Sequence, residues 1–149
     1  MIVSEIVSVR HVEVGDAAVM AELSVQLGYA AHEGEMRTRI ARLLAHPEKQ
    51  VALVACVDGV VIGWIEAAVV HHLQSAPHAL IGGLVVKDGA RGLGVGRTLC
   101  AAVEAWTKDK GLDVVRVTSR STREAAHRFY LRDGYVLTKS SAVFEKVLR

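Results

Sequence analysis

Between Leu84 and Leu99 the chain reads LVVKDGARGLGVGRTL. A β-branched apolar run gives way to a segment in which Gly92, Gly94 and Gly96 alternate, and beyond it the apolar residues recur at helical spacing. A strand that feeds a helix through glycines commits the chain to an α/β architecture. It also leaves the backbone open to a ligand. The unpaired N–H groups of the first helical turn, together with the helix dipole, suit a phosphate. Arg91 and Arg97 bracket the glycines and Lys87 precedes them, placing cations where a diphosphate would lie.

The remaining elements fall in order around this junction. IVSEIVSVRHVE alternates as a first strand. Asp16 stands at an N-cap position before AAVMAELSVQL, and Gly28 follows where that helix should stop. EMRTRIARLLAH places Met36, Ile40, Leu43 and Leu44 on one helical face, and Pro47 closes it. QVALVACV and VVIGWIEAAVV flank Asp58-Gly59, a tight-turn dipeptide. The polar connection HHLQSAPH, with His71, His72 and His78, leads to the strand ALIGGLVV, whose Gly82-Gly83 signals a bulge or a close backbone approach. A helix from about Gly94 to Lys110 aligns Leu99, Val103 and Trp106 and stops at Gly111. DVVRVTS is a further strand, Ser121 and Glu124 form a capping box for TREAAHRFYLRD, and YVLTK and AVFEKVL close the chain as two strands. The expected order is β-α-α-β-β-β-α-β-α-β-β, one α/β domain spanning residues 1–149.

Composition removes several function classes. The 149 residues are 51% apolar and 23% charged, too rich in apolar residues for a disordered chain, and no apolar run approaches a membrane span. A formal charge of +2 gives no basic stripe for nucleic acid. Cys56 and Cys100 sit in apolar patterns without metal-ligand or redox spacing, so no metal is expected. The N-terminus has no export-signal pattern, and a cytoplasmic protein is expected.

Two phosphate-binding patterns fail on particular positions. The third glycine of a dinucleotide fingerprint is replaced by Arg97, and Arg91 stands where the first glycine of a Walker loop belongs. Arg91, Gly94 and Gly96 do match Arg-x-x-Gly-x-Gly, and Ala126, Phe129, Tyr130, Gly134 and Tyr135 match A-x-x-F-Y-x-x-x-G-[FY]. In these two motifs and in the order of its elements the chain resembles the GNAT superfamily of acyl-CoA-dependent N-acetyltransferases. Within it, the chain is similar to small bacterial members, including the aminoglycoside N-acetyltransferase-like group. The resemblance implies a mixed, mostly antiparallel sheet of about seven strands flanked by about four helices.

It also implies roles. Acetyl-CoA would be the cosubstrate, its pantetheine pairing with the backbone of Leu84, Val85 and Val86 and its acetyl carbonyl taking an N–H near Leu84 or Val85. The diphosphate would rest on Arg91, Gly92, Leu93, Gly94, Val95, Gly96 and Arg97. Tyr130 would be the acid for the departing thiolate. Arg123 stands where many members carry asparagine, and Ser119 or Ser121 would have to replace it. Leu80 stands where many carry a catalytic carboxylate, which leaves Glu66, His71, His72, His78 or a water as the base. Glu66, inside an apolar strand, must be paired, at an edge or facing a cleft. The acceptor is an amine of a small molecule or peptide, in a pocket built from about residues 27–37 and 64–78, where Tyr29 and Trp64 are candidate linings. Transfer of another acyl group and a silent acyl-CoA-binding module are the alternatives. Strands near the chain ends are compatible with a homodimer.

Overall fold

The computed structural model describes residues 6–90, 92–119 and 123–149. Its contacts gather into two units, Met1–Thr118 and Ser119–Arg149. In the first, β1 (Ser8–His11), β2 (Gln50–Val57), β3 (Val60–Val70), β4 (His78–Val86) and β5 (Val115–Val117) form one sheet in sequence order. β1 to β4 pair antiparallel, and β5 pairs with β4 in parallel. The turn at Asp58 and Gly59 takes φ of +50° and +77°, which brings Val57 opposite Val60 as the dipeptide predicts.

Helices cover both faces. α1 (Ala17–Ser24) continues into a 3-10 turn, Val25–Leu27, and ends at Gly28 with φ +84°. With α2 (Glu33–Leu44) it packs on the face carrying Ala52, Val54, Trp64 and Val85. α3 (Val95–Asp109) lies on the other face, where Val95, Leu99, Cys100 and Val103 are buried. Thr107, with its hydroxyl donating to the Val103 carbonyl at 2.8 Å, continues that stripe in place of the expected Trp106, which is only half-buried. Trp106 instead receives the Lys110 ammonium over its ring. Asp16 precedes α1 as expected, but its carboxylate does not cap that helix. It takes two hydrogen bonds from Arg10 on β1, at 2.8 and 2.9 Å, and one from the Glu13 N–H, and the Arg10 guanidinium holds its carboxyl below the ordinary range.

The second unit contains α4 (Glu124–Arg132). Phe129, Tyr130 and Tyr135 pack edge to face, with centroids 5.2 and 5.7 Å apart, and the Tyr135 N–H donates to the Tyr130 carbonyl across Gly134. Arg123 stands at the N-cap position without a side-chain capping bond. The Ser121 capping box lies outside the described residues, as does part of the first strand's run.

Five strands, against about seven expected, are present among the described residues. The two missing ones are YVLTK and AVFEKVL. Alternation tells which side chains would share a face, whereas a strand exists only where a neighbouring backbone takes its N–H and C=O groups. No ladder engages residues 135–149, and Val136, Leu137, Val143 and Phe144 stand exposed.

Candidate active site

β4 is the strand on which the site is built. Its ladder to β5 covers only Ala79, Leu80 and Ile81, so the rest of the strand, to Val86, lacks a β5 partner. On its other side it pairs with β3, and the register decides which backbone groups are spent there. Lys87 donates its N–H to the Ile62 carbonyl at 2.7 Å. In an antiparallel pair, alternate residues face the partner, so Val85 exchanges bonds with Trp64. Leu84 and Val86 therefore turn their N–H and C=O groups to the outer edge. The acetyl-binding N–H expected near Leu84 or Val85 is thus available at Leu84 and committed to the ladder at Val85.

Beyond Val86 the backbone turns at Gly89 and reaches Gly92 and Gly94, with φ of +98° and +74°. Gly94 is the N-cap of α3, a left-handed position that a side chain would strain. The Thr98 N–H bonds to the Gly94 carbonyl, which leaves the N–H groups of Val95 and Gly96 unpaired in the helix's first turn. A Cβ added at Gly92 or Gly94 would meet open space, so these glycines serve backbone shape, not internal packing. Lys87, Leu93 and Arg97 are exposed at this turn. Arg91 lies outside the described residues.

The predicted bulge falls at Gly82. Gly83 is opposite Glu66 while Ile81 is opposite Ala67, so Gly82 is the extra residue. A Cβ at Gly82 would collide with the Glu66 carboxylate, and one at Gly83 would lie 2.9 Å from the Trp64 ring. The two glycines leave the space that these side chains occupy. Glu66 pairs with Ala52 and shares the face of α1 and α2 with Trp64, two residues away. Leu80, opposite Ala68, projects from that same face. Glu66 thus lies on the same face as Leu80, on the neighbouring strand and one alternation further along.

Glu66 is half-buried, and its carboxylate has no hydrogen-bond or ion-pair partner among the described residues. Burial pushes its carboxyl above the ordinary carboxylate range. Trp64 is 8% exposed and belongs to the helix-side core, and its indole N–H is also unpaired there. Tyr29, 60% exposed, stands near α2, and Leu27 and Ala31 pack against the same core. Of the histidines, His71 and His72 are exposed between β3 and β4. His78, expected in that connection, is the first residue of β4 and is 3% exposed, with Nδ1 3.1 Å from the Ala76 carbonyl.

One residue with a place in this geometry had no signal in the sequence. Gln26 reaches the end of β4, with hydrogen bonds to Val86 and Asp88, and neither spacing nor periodicity links positions so far apart. Tyr130 lies in the second unit, among the aromatic residues described above.

Residues 17–135 match the acetyltransferase (GNAT) family. An aminoglycoside N(6')-acetyltransferase type 1 of Stenotrophomonas maltophilia is 30% identical over 95% of this chain and 94% of its own length. An aminoalkylphosphonate N-acetyltransferase of Salmonella typhimurium is 31% identical over 89% of this chain and 87% of its own length. The solved structure of the aminoglycoside N-acetyltransferase AAC(6')-Iy in complex with CoA superposes with a TM-score of 0.84 at 20% identity, covering 95% of both chains.

Proposed function

The chain belongs to the acetyltransferase (GNAT) family and is an acetyl-CoA-dependent N-acetyltransferase; on that premise we propose that it acetylates a primary amine of a small, multiply cationic molecule by direct attack while both substrates are bound. The observation that carries this reading is the outer edge of β4, where the Leu84 N–H and carbonyl and the Val86 N–H lead into a glycine turn and the N-terminus of α3. Pantetheine amides fit the edge as an added strand, and a diphosphate fits the turn, with Arg97 beside it.

Acetyl-CoA supplies the thioester, and the chain's own groups do the rest. Glu66 takes the proton from the acceptor ammonium, and its raised pKa brings it nearer the working pH than an exposed carboxylate. The Leu84 N–H donates to the carbonyl oxygen as the C–N bond forms and the oxygen gains charge. Tyr130 gives its proton to the sulfur as the C–S bond breaks, and a second proton leaves the nitrogen for water. Cys56 and Cys100 are buried, which argues against an acyl-enzyme.

Charge narrows the acceptor. Glu33 and Glu35 open α2 as exposed carboxylates, each paired with an arginine four residues on, which among the described residues leaves Glu66 as the carboxylate without an ion-pair partner on the sheet face against which α2 packs. A cationic acceptor such as an aminoglycoside or polyamine suits Glu66 better than a substrate carrying a phosphonate. A cytoplasmic setting follows from the need for acetyl-CoA. The lack of a carboxylate at Leu80 favours a second reading, an acyl-CoA-binding module without turnover.

Amine-dependent release of CoA separates the two. Release is expected to be fastest with aminoglycosides or polyamines and slower with aminoalkylphosphonates or peptide N-termini. Tight acetyl-CoA binding with no release on any amine would instead establish the silent module. In the same assay Tyr130→Phe should lower kcat about tenfold while the affinity for acetyl-CoA stays within about twofold, because a thiolate leaves readily and needs its proton late. Unchanged turnover would remove Tyr130 from the mechanism.

A further inference from the structure

Gln26 spends both ends of its side-chain amide on backbone 60 and 62 residues away. Its Nε2 donates to the Val86 carbonyl at 2.8 Å, and its Oε1 accepts the Asp88 N–H at 3.1 Å. Between them, Lys87 donates its N–H to Ile62 on β3. Residues 86–88 are thus held on alternate sides, by β3 and by Gln26. They are the last fixed point before the glycine turn, which begins as the Ala90 N–H closes onto the Lys87 carbonyl at 3.0 Å.

We infer that Gln26 is a positioning residue for acetyl-CoA, aiming the exit of β4 at the glycine turn and taking the Val86 carbonyl out of the outer edge. The inference rests on the reading that pantetheine lies along that edge. Leu84 and Val86 would otherwise offer two N–H and two C=O groups there. Gln26 occupies the Val86 carbonyl, so between these two residues the Leu84 N–H, the Leu84 carbonyl and the Val86 N–H are left for the thioester carbonyl and the pantetheine amides. Because the amide donates at one end and accepts at the other, glutamate and methionine fail differently. Glutamate keeps an acceptor for Asp88 but opposes the Val86 carbonyl with negative charge. Methionine keeps the length and loses both bonds.

The test measures acetyl-CoA affinity and residue-resolved amide exchange in the wild type, Gln26→Met and Gln26→Glu. Gln26→Met should speed exchange at Asp88 and raise the Kd for acetyl-CoA about tenfold, with kcat at saturation within about twofold of wild type. Gln26→Glu should keep Asp88 protected and still raise the Kd at least as far. If folded variants, judged by circular dichroism, bind acetyl-CoA within twofold of wild type, Gln26 is structural only and the inference fails. Should Gln26→Met not fold, Gln26→Glu decides on the same criterion. A wild type whose Leu84 and Val86 amides gain no protection from acetyl-CoA overturns the edge reading and Gln26's role with it. Protection in the wild type with unchanged affinity in the variants overturns Gln26's role alone.

Discussion

Glu66→Gln should lower kcat by about 10²- to 10⁴-fold, the range for loss of a positioned acid or base, while leaving acetyl-CoA affinity within about twofold. The glutamine retains the shape that the Gly82-Gly83 bulge accommodates and cannot accept a proton at working pH. The wild-type rate should fall on the acid side as Glu66 takes up its proton, at a pH above the ordinary carboxylate range, since burial raises its pKa. The variant's residual rate should lack that limb. Stability moves the other way. A carboxyl whose pKa is raised on folding favours the native state only when protonated, and that support is lost as pH climbs through the folded pKa. Glu66→Gln removes the cost of a buried, unpaired charge, so its Tm should exceed the wild type's at about pH 8, with the gap closing towards pH ~4, where both states hold the proton. Turnover within twofold of wild type would exclude Glu66 as the base.

Leu84→Pro should leave a folded protein that still binds CoA but turns over about 10²- to 10³-fold more slowly, the cost of losing one donor to a developing oxyanion. Proline removes the N–H, and at Leu84 that group faces the outer edge, where proline is tolerated in a strand. Val85→Pro is the contrast. It breaks the bond to Trp64 inside the β3–β4 ladder and should prevent folding. A backbone amide-to-ester replacement at Leu84 removes the same N–H while keeping the side chain, and should match the proline's rate. Near-normal turnover in the ester variant would mean that the carbonyl is held elsewhere.

The glycine turn was legible in the sequence because its chemistry is local. Gly92 and Gly94 need positive φ, and their spacing before a helix states this without tertiary information. The Asp58-Gly59 hairpin was legible for the same reason. The Gly82-Gly83 bulge could be anticipated, but its use could not. Only the β3–β4 register puts Glu66 over those glycines and on the face of Leu80, which is the placement on which its proposed role as base rests. The choice between Leu84 and Val85 likewise depended on which of the two faces β3, a parity the bulge resets. Gln26 was silent because its partners are backbone atoms far along the chain. The last two strands fail for the converse reason. Their alternation is plain in the sequence, and no ladder among the described residues uses it.

The most direct measurement is amide hydrogen exchange, residue by residue, with and without saturating acetyl-CoA. New protection is expected at the Leu84 and Val86 N–H groups and at Val95 and Gly96, with little change at Val85, whose N–H is already bonded to β3. Binding of acetyl-CoA with those four amides unchanged would contradict the placement of the cosubstrate along β4 and the glycine turn, and with it the roles given to Leu84 and Glu66.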